Sequence, residues 1–322
     1  MKSTAAERDG KPQSGLLGGL MQRIQKDDTI PAYIMIAPMV LGFLLFTVYP
    51  IFYVVRWSFF DYDGFTKATF IGVDNFIRLF SRDSNYWSSI GNTVIITLGK
   101  MVLEIPLALA VAFLIKSNSK LNTFFRTFFF MPTIVSVAIV GLIFANLFGS
   151  YNGIVNSLLI RGGFTAIKIG WFGNKWLAMI VIILAAVWSH FGINMVFFLM
   201  GLQSIPKELY ECADIDGAGR VRQFFQVTLP MLKPILQIVL MLALVEGLKI
   251  SDLVLVLTNG QPGGQTEVVM TYIYKYFFST DAMSGGLVQY GYASSLAATT
   301  AILVGIITLV YLRLSKKMSD IY

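Results

Sequence analysis

The chain has 322 residues, of which 56% are hydrophobic and only 13% are charged. An average soluble domain is about 25% charged, so this composition argues against a soluble globular protein and against a disordered one. The formal net charge is +7. In a membrane protein an excess of basic residues is first an orientation signal, and no nucleic acid is needed to explain it.

Six apolar stretches are each long enough to cross the hydrocarbon core of a bilayer, which takes about 20 residues. In chain order they are residues 31–51, 90–115, 128–148, 177–202, 235–257 and 293–312. Lipid offers no hydrogen-bond partner to an open strand edge, so all six are predicted to be helices. The predicted organisation is a tail over residues 1–29, a six-helix domain over 30–314 and a second tail over 315–322.

The connections between the predicted spans differ in their basic residues. Both tails, together with the second and fourth connections, carry 15 Lys and Arg residues, whereas the other three connections carry 8. Because Lys and Arg mark cytoplasmic segments, we predict that both termini are cytoplasmic, as an even number of spans also requires.

The fourth connection has the local signals of two short helices joined by a tight turn. Pro206 suits the first turn of a helix, where its missing N–H costs nothing, and Gly217 suits the left-handed position after a helix end. We predict helices over 206–216 and 219–228, with a break at Pro230. Such a segment either docks into another protein or only connects two spans, and its geometry does not decide between them.

A residue pattern in this connection closely resembles the EAA loop of bacterial ATP-binding-cassette importer permeases. It consists of Glu211-Cys212-Ala213, then Gly217, and then Val227-Thr228-Leu229-Pro230. The family favours alanine where Cys212 stands, and cysteine keeps the side chain small. Residues 204–230 are called the coupling loop below.

Two further stretches resemble the carbohydrate branch of that family, the MalF-type permeases. They are Phe70-Ile-Gly-Val-Asp-Asn-Phe76, before the second span, and Leu257-Thr-Asn-Gly-Gln-Pro262, after the fifth. The resemblance extends over about residues 30–314. It implies an all-α, six-helix type I importer fold of the MetI/MalF kind in the bacterial plasma (inner) membrane.

The resemblance also implies a mechanism and a set of partners. In this family the EAA segment is a coupling helix that sits in a cleft of an ATPase subunit, so the implied coupling residues are Glu208, Glu211, Ala213, Asp216 and Gly217. The sequence contains no G-x-x-x-x-G-K-[ST] phosphate loop. We therefore expect no catalytic residue and no cofactor in this chain, with ATP and Mg bound by the partner. The implied partners are a second homologous permease, two ATPase subunits and an external solute-binding protein.

Ionisable residues inside predicted spans are costly and usually functional. The candidate solute-binding residues lie on the fourth and fifth spans, where this branch places its solute contacts: Trp188, His190, Asn194, Glu246, Lys249 and Asp252. An aromatic face and hydrogen-bonding groups suit a sugar, and the charges suggest an acidic saccharide bound with help from Lys249 and His190. The alternative is that Lys100–Glu104 and Glu246–Lys249 neutralise each other and only fasten helices together.

Other functions are also consistent with parts of the sequence. An ion-gradient-driven secondary transporter would use Glu104, Glu246 and Asp252 as relay groups, but it gives the coupling loop no role. A membrane-embedded enzyme lacks a visible catalytic constellation, and one histidine with one cysteine does not make a metal site. The outer segments 71–87 and 258–266 either touch the solute-binding protein or cap the outer end of the spans.

Overall fold

The computed structural model describes residues 29–65, 67–278 and 288–319. The predicted N-terminal tail lies outside this part of the chain, apart from its last residue. The chain divides into two compact units, Met1–Arg56 and Trp57–Tyr322. In the first unit the described residues are helical, with a π-helical turn at Leu44–Val48.

The described residues are mostly helical, as predicted. In chain order the elements are α1 (Thr29–Phe43), α2 (Tyr49–Trp57), β1 (Phe60–Asp61), β2 (Thr69–Phe70), α3 (Asp74–Arg82), α4 (Ser84–Leu114), α5 (Lys120–Phe130), α6 (Val137–Leu147), α7 (Ile154–Arg161), α8 (Lys175–Gln203), α9 (Lys207–Ile215), α10 (Arg220–Gln223), α11 (Leu229–Met231), α12 (Lys233–Leu248), α13 (Asp252–Leu257), α14 (Val269–Phe278) and α15 (Tyr290–Ser319). The two strands form one small antiparallel hairpin that pairs Phe60 with Phe70.

The described helices give four to six candidate membrane spans, where the sequence predicts six. Four are long and apolar enough to cross a membrane unbroken: Ala32–Trp57, Ser84–Leu114, Lys175–Gln203 and Tyr290–Lys316. Two bent helix pairs, Lys120–Ile134 with Val137–Leu147 and Arg220–Met231 with Lys233–Leu248, raise the number to six if each pair is one span. The all-α, polytopic fold class is therefore confirmed.

The third predicted span differs from a single straight helix. The axis turns by 98° between α5 and α6, across a 3₁₀ turn at Met131–Ile134. Pro132 lies in this turn and is buried. Because proline has no N–H and its ring displaces the carbonyl one turn earlier, the chain leaves the α-helical path here.

The fifth predicted span is also interrupted. The helix α12 ends at Leu248, and α13 begins only at Asp252. Before α12 the axis bends by 68°, at Leu232 and not at Pro230 as predicted. Pro230 follows a π-helical turn at Phe224–Thr228, and the helical path Arg220–Met231 ends one residue after it.

The centre of the second unit is formed by α4, α8 and α12, which pack along one another. Glycines let α12 approach α4 closely, and α8 approach α5. A Cβ on Gly247 of α12 would lie 2.6 Å from the Thr97 side chain of α4, and one on Gly192 of α8 would lie 2.4 Å from the Phe129 carbonyl oxygen. Small residues at such crossings are typical of helices that associate within a membrane.

Candidate functional site

Five polar side chains from α4, α8 and α12 meet between the helices, and we call them the polar cluster: Lys100, Glu104, His190, Asn194 and Glu246. Lys100 Nζ lies 2.7 Å from Glu246 Oε2 and 3.5 Å from Glu104 Oε2. His190 Nε2 lies 3.1 Å from Glu246 Oε1. Asn194 Nδ2 donates to Glu104 Oε1 at 2.6 Å. The network thus joins three helices through charged and polar groups.

Burial changes across the polar cluster. The side chains of Lys100 and Glu104 are only 2% and 0% exposed, whereas those of His190 and Glu246 are 29% and 45% exposed. Lys100 and Glu104 therefore support the cluster from inside. Glu246 and His190 form the exposed part of the polar cluster.

The two ends of the cluster differ in their further hydrogen bonds. His190 Nδ1 lies 2.8 Å from Ser189 Oγ and 3.0 Å from the Ala186 carbonyl oxygen, so the ring is held with Nε2 toward Glu246. Glu104 Oε2, in contrast, is buried and has no hydrogen-bond partner. The positive charge nearest to this oxygen is Lys100 Nζ, at 3.5 Å.

The predicted solute residues do not all join this cluster. Lys249 and Asp252 flank the interruption between α12 and α13, and both are exposed. Asp252 Oδ1 accepts a hydrogen bond from Ser251. Among the described residues, no ion pair connects Lys249 to Glu246, so the alternative pairing predicted for these two side chains is not formed. Glu246 pairs instead with Lys100 on another helix.

Trp188 lies on a different face of α8 from the polar cluster. Its ring packs against Phe144 of α6, with 5.9 Å between the ring centroids, and it lines an apolar cavity of about 230 Å³ with Phe128, Pro132 and Phe191. His190 is two residues further along, about 200° around the helix. A single solute therefore does not reach Trp188 and the cluster by one face of this helix.

The coupling loop forms the predicted helix, turn and second helical segment. The helix α9 covers Lys207–Ile215, and Gly217 has a φ of +71°, so the left-handed position predicted for this glycine is confirmed. Glu208, Glu211 and Asp216 are exposed, and Ala213 is partly buried. Ile215, a large apolar side chain, is 86% exposed.

Two sets of hydrogen bonds fasten α9 to the second half of the coupling loop. The Tyr210 hydroxyl lies 2.9 Å from Thr228 Oγ1, and Thr228 is buried. Gln223 Nε2 donates to Asp214 and to the Ala218 carbonyl oxygen. The helix α9 is thereby tied to the residues that lead into α12, on which Glu246 lies.

A carboxylate with several hydrogen-bond donors holds the start of α4. Asp83 caps the N-terminus of α4 by accepting from the Tyr86 N–H, and it also accepts from the hydroxyls of Tyr272 and Tyr292. Burial is the main cause that raises the pKa of the Tyr272 phenol, so this hydroxyl stays protonated and donates. The bonds connect the start of α4 with α14 and α15.

The segment between α13 and α14 is held by buried polar groups. Glu267 and Lys275 form a buried pair with 2.7 Å between Oε2 and Nζ, and Lys275 also donates to the Asn259 carbonyl oxygen at 2.9 Å. Asn92 of α4 donates to the carbonyl oxygens of Gln265 and Glu267. The described part of the chain has no group of three His, Cys, Asp or Glu side chains that could hold a metal ion.

The chain belongs to a known transport family. A family model described as "Binding-protein-dependent transport system inner membrane component" matches residues 104–320. The chain is therefore a transmembrane permease component of an ATP-binding-cassette importer, a multi-pass protein of the bacterial inner membrane, and the ATPase of such a system is a separate subunit. This membership favours the importer over the ion-driven secondary transporter that was the alternative.

Several characterised or named relatives are similar over most of their length. The probable ABC transporter permease protein YesP of Bacillus subtilis is 34% identical over 291 residues, which cover 90% of this chain and 92% of that protein. The arabinooligosaccharides transport system permease protein AraP of the same organism is 32% identical over 287 residues, 88% of each chain. The multiple sugar-binding transport system permease protein MsmF of Streptococcus mutans is 34% identical over 284 residues, 88% of this chain and 94% of that protein.

A solved structure shares the fold. A chain of a bacterial ABC transporter involved in the import of the acidic polysaccharide alginate superposes with a TM-score of 0.77 at 23% sequence identity, covering 93% of this chain and 99% of that one. The predicted importer fold is thereby confirmed for this chain.

Proposed function

We propose that this chain is one of two homologous permease subunits of an importer that moves sugars or oligosaccharides, driven by two ATPase subunits and supplied by an external solute-binding protein. Similarity to AraP and MsmF, which are named for arabinooligosaccharides and multiple sugars, supports the solute class. ATP and Mg are bound by the ATPase partners, and both termini and the coupling loop are cytoplasmic.

The observation that carries the coupling role is the exposed helix α9 together with its attachment to the fifth span. Its acidic residues Glu208 and Glu211 and the apolar Ile215 are available to a partner. The Tyr210–Thr228 hydrogen bond ties α9 to the segment that continues into α12. We infer that closure of the ATPase pair moves α9, and that this movement reaches Glu246 through the fifth span.

The proposed solute site consists of the exposed part of the polar cluster and the interruption that follows it. Glu246 accepts hydrogen bonds from sugar hydroxyls, and His190 orients that carboxylate. Irregular backbone within a membrane is tolerated where it lines a cavity, so the segment between α12 and α13 suits the wall of the solute pathway. Asn194, with Glu104 and Lys100, supports the site from inside and does not touch the solute.

An acidic saccharide is a second candidate, favoured by one observation. Lys249 is exposed at the interruption and, within the described residues, forms no ion pair. A carboxylate on the sugar would pair with Lys249. The negative charge of Asp252, three residues further on, would limit the number of acid groups that the site accepts. Trp188, which lies on the fourth span, contributes to this proposal only by packing against Phe144.

Uptake of labelled oligosaccharides into cells tests the coupling assignment. We expect Glu211→Lys and Gly217→Pro to abolish uptake while the chain still inserts into the membrane. Lys120→Glu, a charge reversal at an exposed position outside the coupling loop, is the matched control and keeps normal uptake. Normal uptake by both coupling-loop variants would refute the assignment.

Two further measurements separate the proposals. Uptake that requires ATP hydrolysis and survives an uncoupler excludes an ion-gradient-driven mechanism. Lys249→Met is expected to weaken uptake of acidic oligosaccharides and to leave neutral ones unaffected. If this variant takes up both classes normally, the acidic-saccharide candidate is wrong, while the importer proposal stands.

A further inference from the structure

A cavity of about 530 Å³ lies between the end of α4 and the residues that follow α9. Its apolar wall is made of Phe113, Phe224 and Phe225. The rings of Phe113 and Phe224 meet edge to face with 5.6 Å between their centroids, and those of Phe224 and Phe225 do so at 5.2 Å. The volume lies within the range of about 300–1,000 Å³ typical of small-molecule sites.

Two cations line the same cavity. Lys116 Nζ lies 4.2 Å from the centroid of the Phe113 ring, and Arg220 is exposed at the start of α10. In the part of the chain that the structure describes, neither forms an ion pair, and none of the residues that line the cavity is acidic. The cavity thus combines an aromatic wall with two uncompensated positive charges.

The cavity lies away from the proposed ATPase-facing surface of α9. Tyr210, whose hydroxyl is bonded to Thr228, lines the cavity. At about 100° per residue, Glu211 and Ile215 lie about 100–140° around the helix from Tyr210. A partner that contacts those exposed side chains therefore leaves the cavity open on the side where the spans end.

We propose that this cavity binds the headgroup of an anionic phospholipid, with Lys116 and Arg220 on the phosphate. The glycerol backbone and the first acyl carbons pack on Phe224 and Phe225. Basic pockets between transmembrane helices are suited to such headgroups, and Phe225, 60% exposed, leaves the apolar side open toward lipid. The proposal rests on the proposed position of the coupling loop at the membrane surface and is independent of the transported solute.

Native mass spectrometry of the full chain tests the site. Phosphatidylglycerol or phosphatidylcholine is added to the chain in detergent, and the bound lipid is counted after the detergent is released. A basic residue near the surface contributes about fivefold to binding of an anionic lipid. We expect Lys116→Gln with Arg220→Gln to reduce the preference for phosphatidylglycerol by about 25-fold, and Arg220→Gln alone by about fivefold. The double variant Lys120→Gln with Arg313→Gln removes two exposed cations outside the cavity and keeps the preference.

A second measurement does not depend on the variants. Phosphatidylglycerol is expected to raise the thermal unfolding midpoint of the unaltered chain more than phosphatidylcholine does, and glycerol phosphate in solution is expected to leave it unchanged. An equal loss of preference in both double variants would refute the site, because the effect would then be general surface charge. Equal stabilisation by glycerol phosphate would show a site for free phosphate and overturn the lipid assignment. Neither result bears on the proposed function, which the uptake measurements test separately.

Discussion

Replacing Lys100 with methionine tests whether the polar cluster is held together by one buried charge. Lys100 is 2% exposed and lies between Glu246, at 2.7 Å, and Glu104, at 3.5 Å. Methionine fills similar space without the charge. The variant leaves two carboxylates facing each other, and Glu104 is completely buried with one oxygen that has no hydrogen-bond partner.

The expected cost follows from the burial of each carboxylate. Removing one partner of a buried ion pair costs about 3–5 kcal/mol. Glu246 is 45% exposed and can be solvated, so its share is small. The loss therefore comes mainly from Glu104 and lies near the lower limit, at about 3 kcal/mol. With about 2 °C per kcal/mol for a chain of this size, the unfolding midpoint falls by about 6 °C.

The assay is thermal unfolding of the purified full chain in detergent. Adding Glu104→Gln to Lys100→Met should recover most of the loss, because the amide oxygen can still accept from Asn194 and no buried charge remains. The coupling between the two changes is expected to be about 2 kcal/mol. Lys249→Met, which removes an exposed cation, is the control and should change stability by less than about 0.5 kcal/mol.

Two outcomes would refute this reasoning. If Lys100→Met and Lys249→Met lower the midpoint equally, Lys100 does not compensate buried charge. If Glu104→Gln fails to improve the stability of the Lys100→Met variant, the cost arises from lost packing and not from an uncompensated carboxylate.

Three further predictions concern packing, capping and the coupling turn, each measured by the same unfolding assay. Gly192→Ala should lower the free energy of unfolding by about 1–3 kcal/mol, because the added Cβ would lie 2.4 Å from a backbone oxygen. Gly305→Ala, where the added Cβ would have nothing within 4 Å, should cost nothing. Equal effects of the two changes would contradict the close approach at Gly192. Asp83→Ala should lower the free energy of unfolding by about 1–3 kcal/mol, since it removes the cap of α4 and the acceptor for Tyr272. Asp83→Asn should retain part of the lost stability. Gly217→Ala should cost about 1–2 kcal/mol because its φ is +71°, and an unchanged midpoint would show that the turn adapts.

Local features of the sequence were sufficient to predict the helices and the coupling loop. Hydropathy over about 20 residues identifies each span, because lipid exposure is a property of the segment itself. Pro206 and Gly217 define the ends of α9 through backbone restrictions that act on single residues. Pro132 and Pro230 show the limit of this reasoning, since Pro132 lies in the turn of a 98° bend, whereas the 68° bend falls at Leu232, after Pro230.

The pairing of Lys100 with Glu104 follows from their spacing in the sequence, but the partner of Glu246 was decided by tertiary structure. The spacing of Glu246 and Lys249 suggested a pair on one helix, but Glu246 contacts Lys100, 146 residues away. The close crossing of α4 and α12, where Gly247 faces Thr97, brings these two side chains together. The rotation of a helix about its own axis depends on such contacts and leaves no trace in hydropathy. Composition therefore predicted the membrane, whereas packing decided which charges meet between helices.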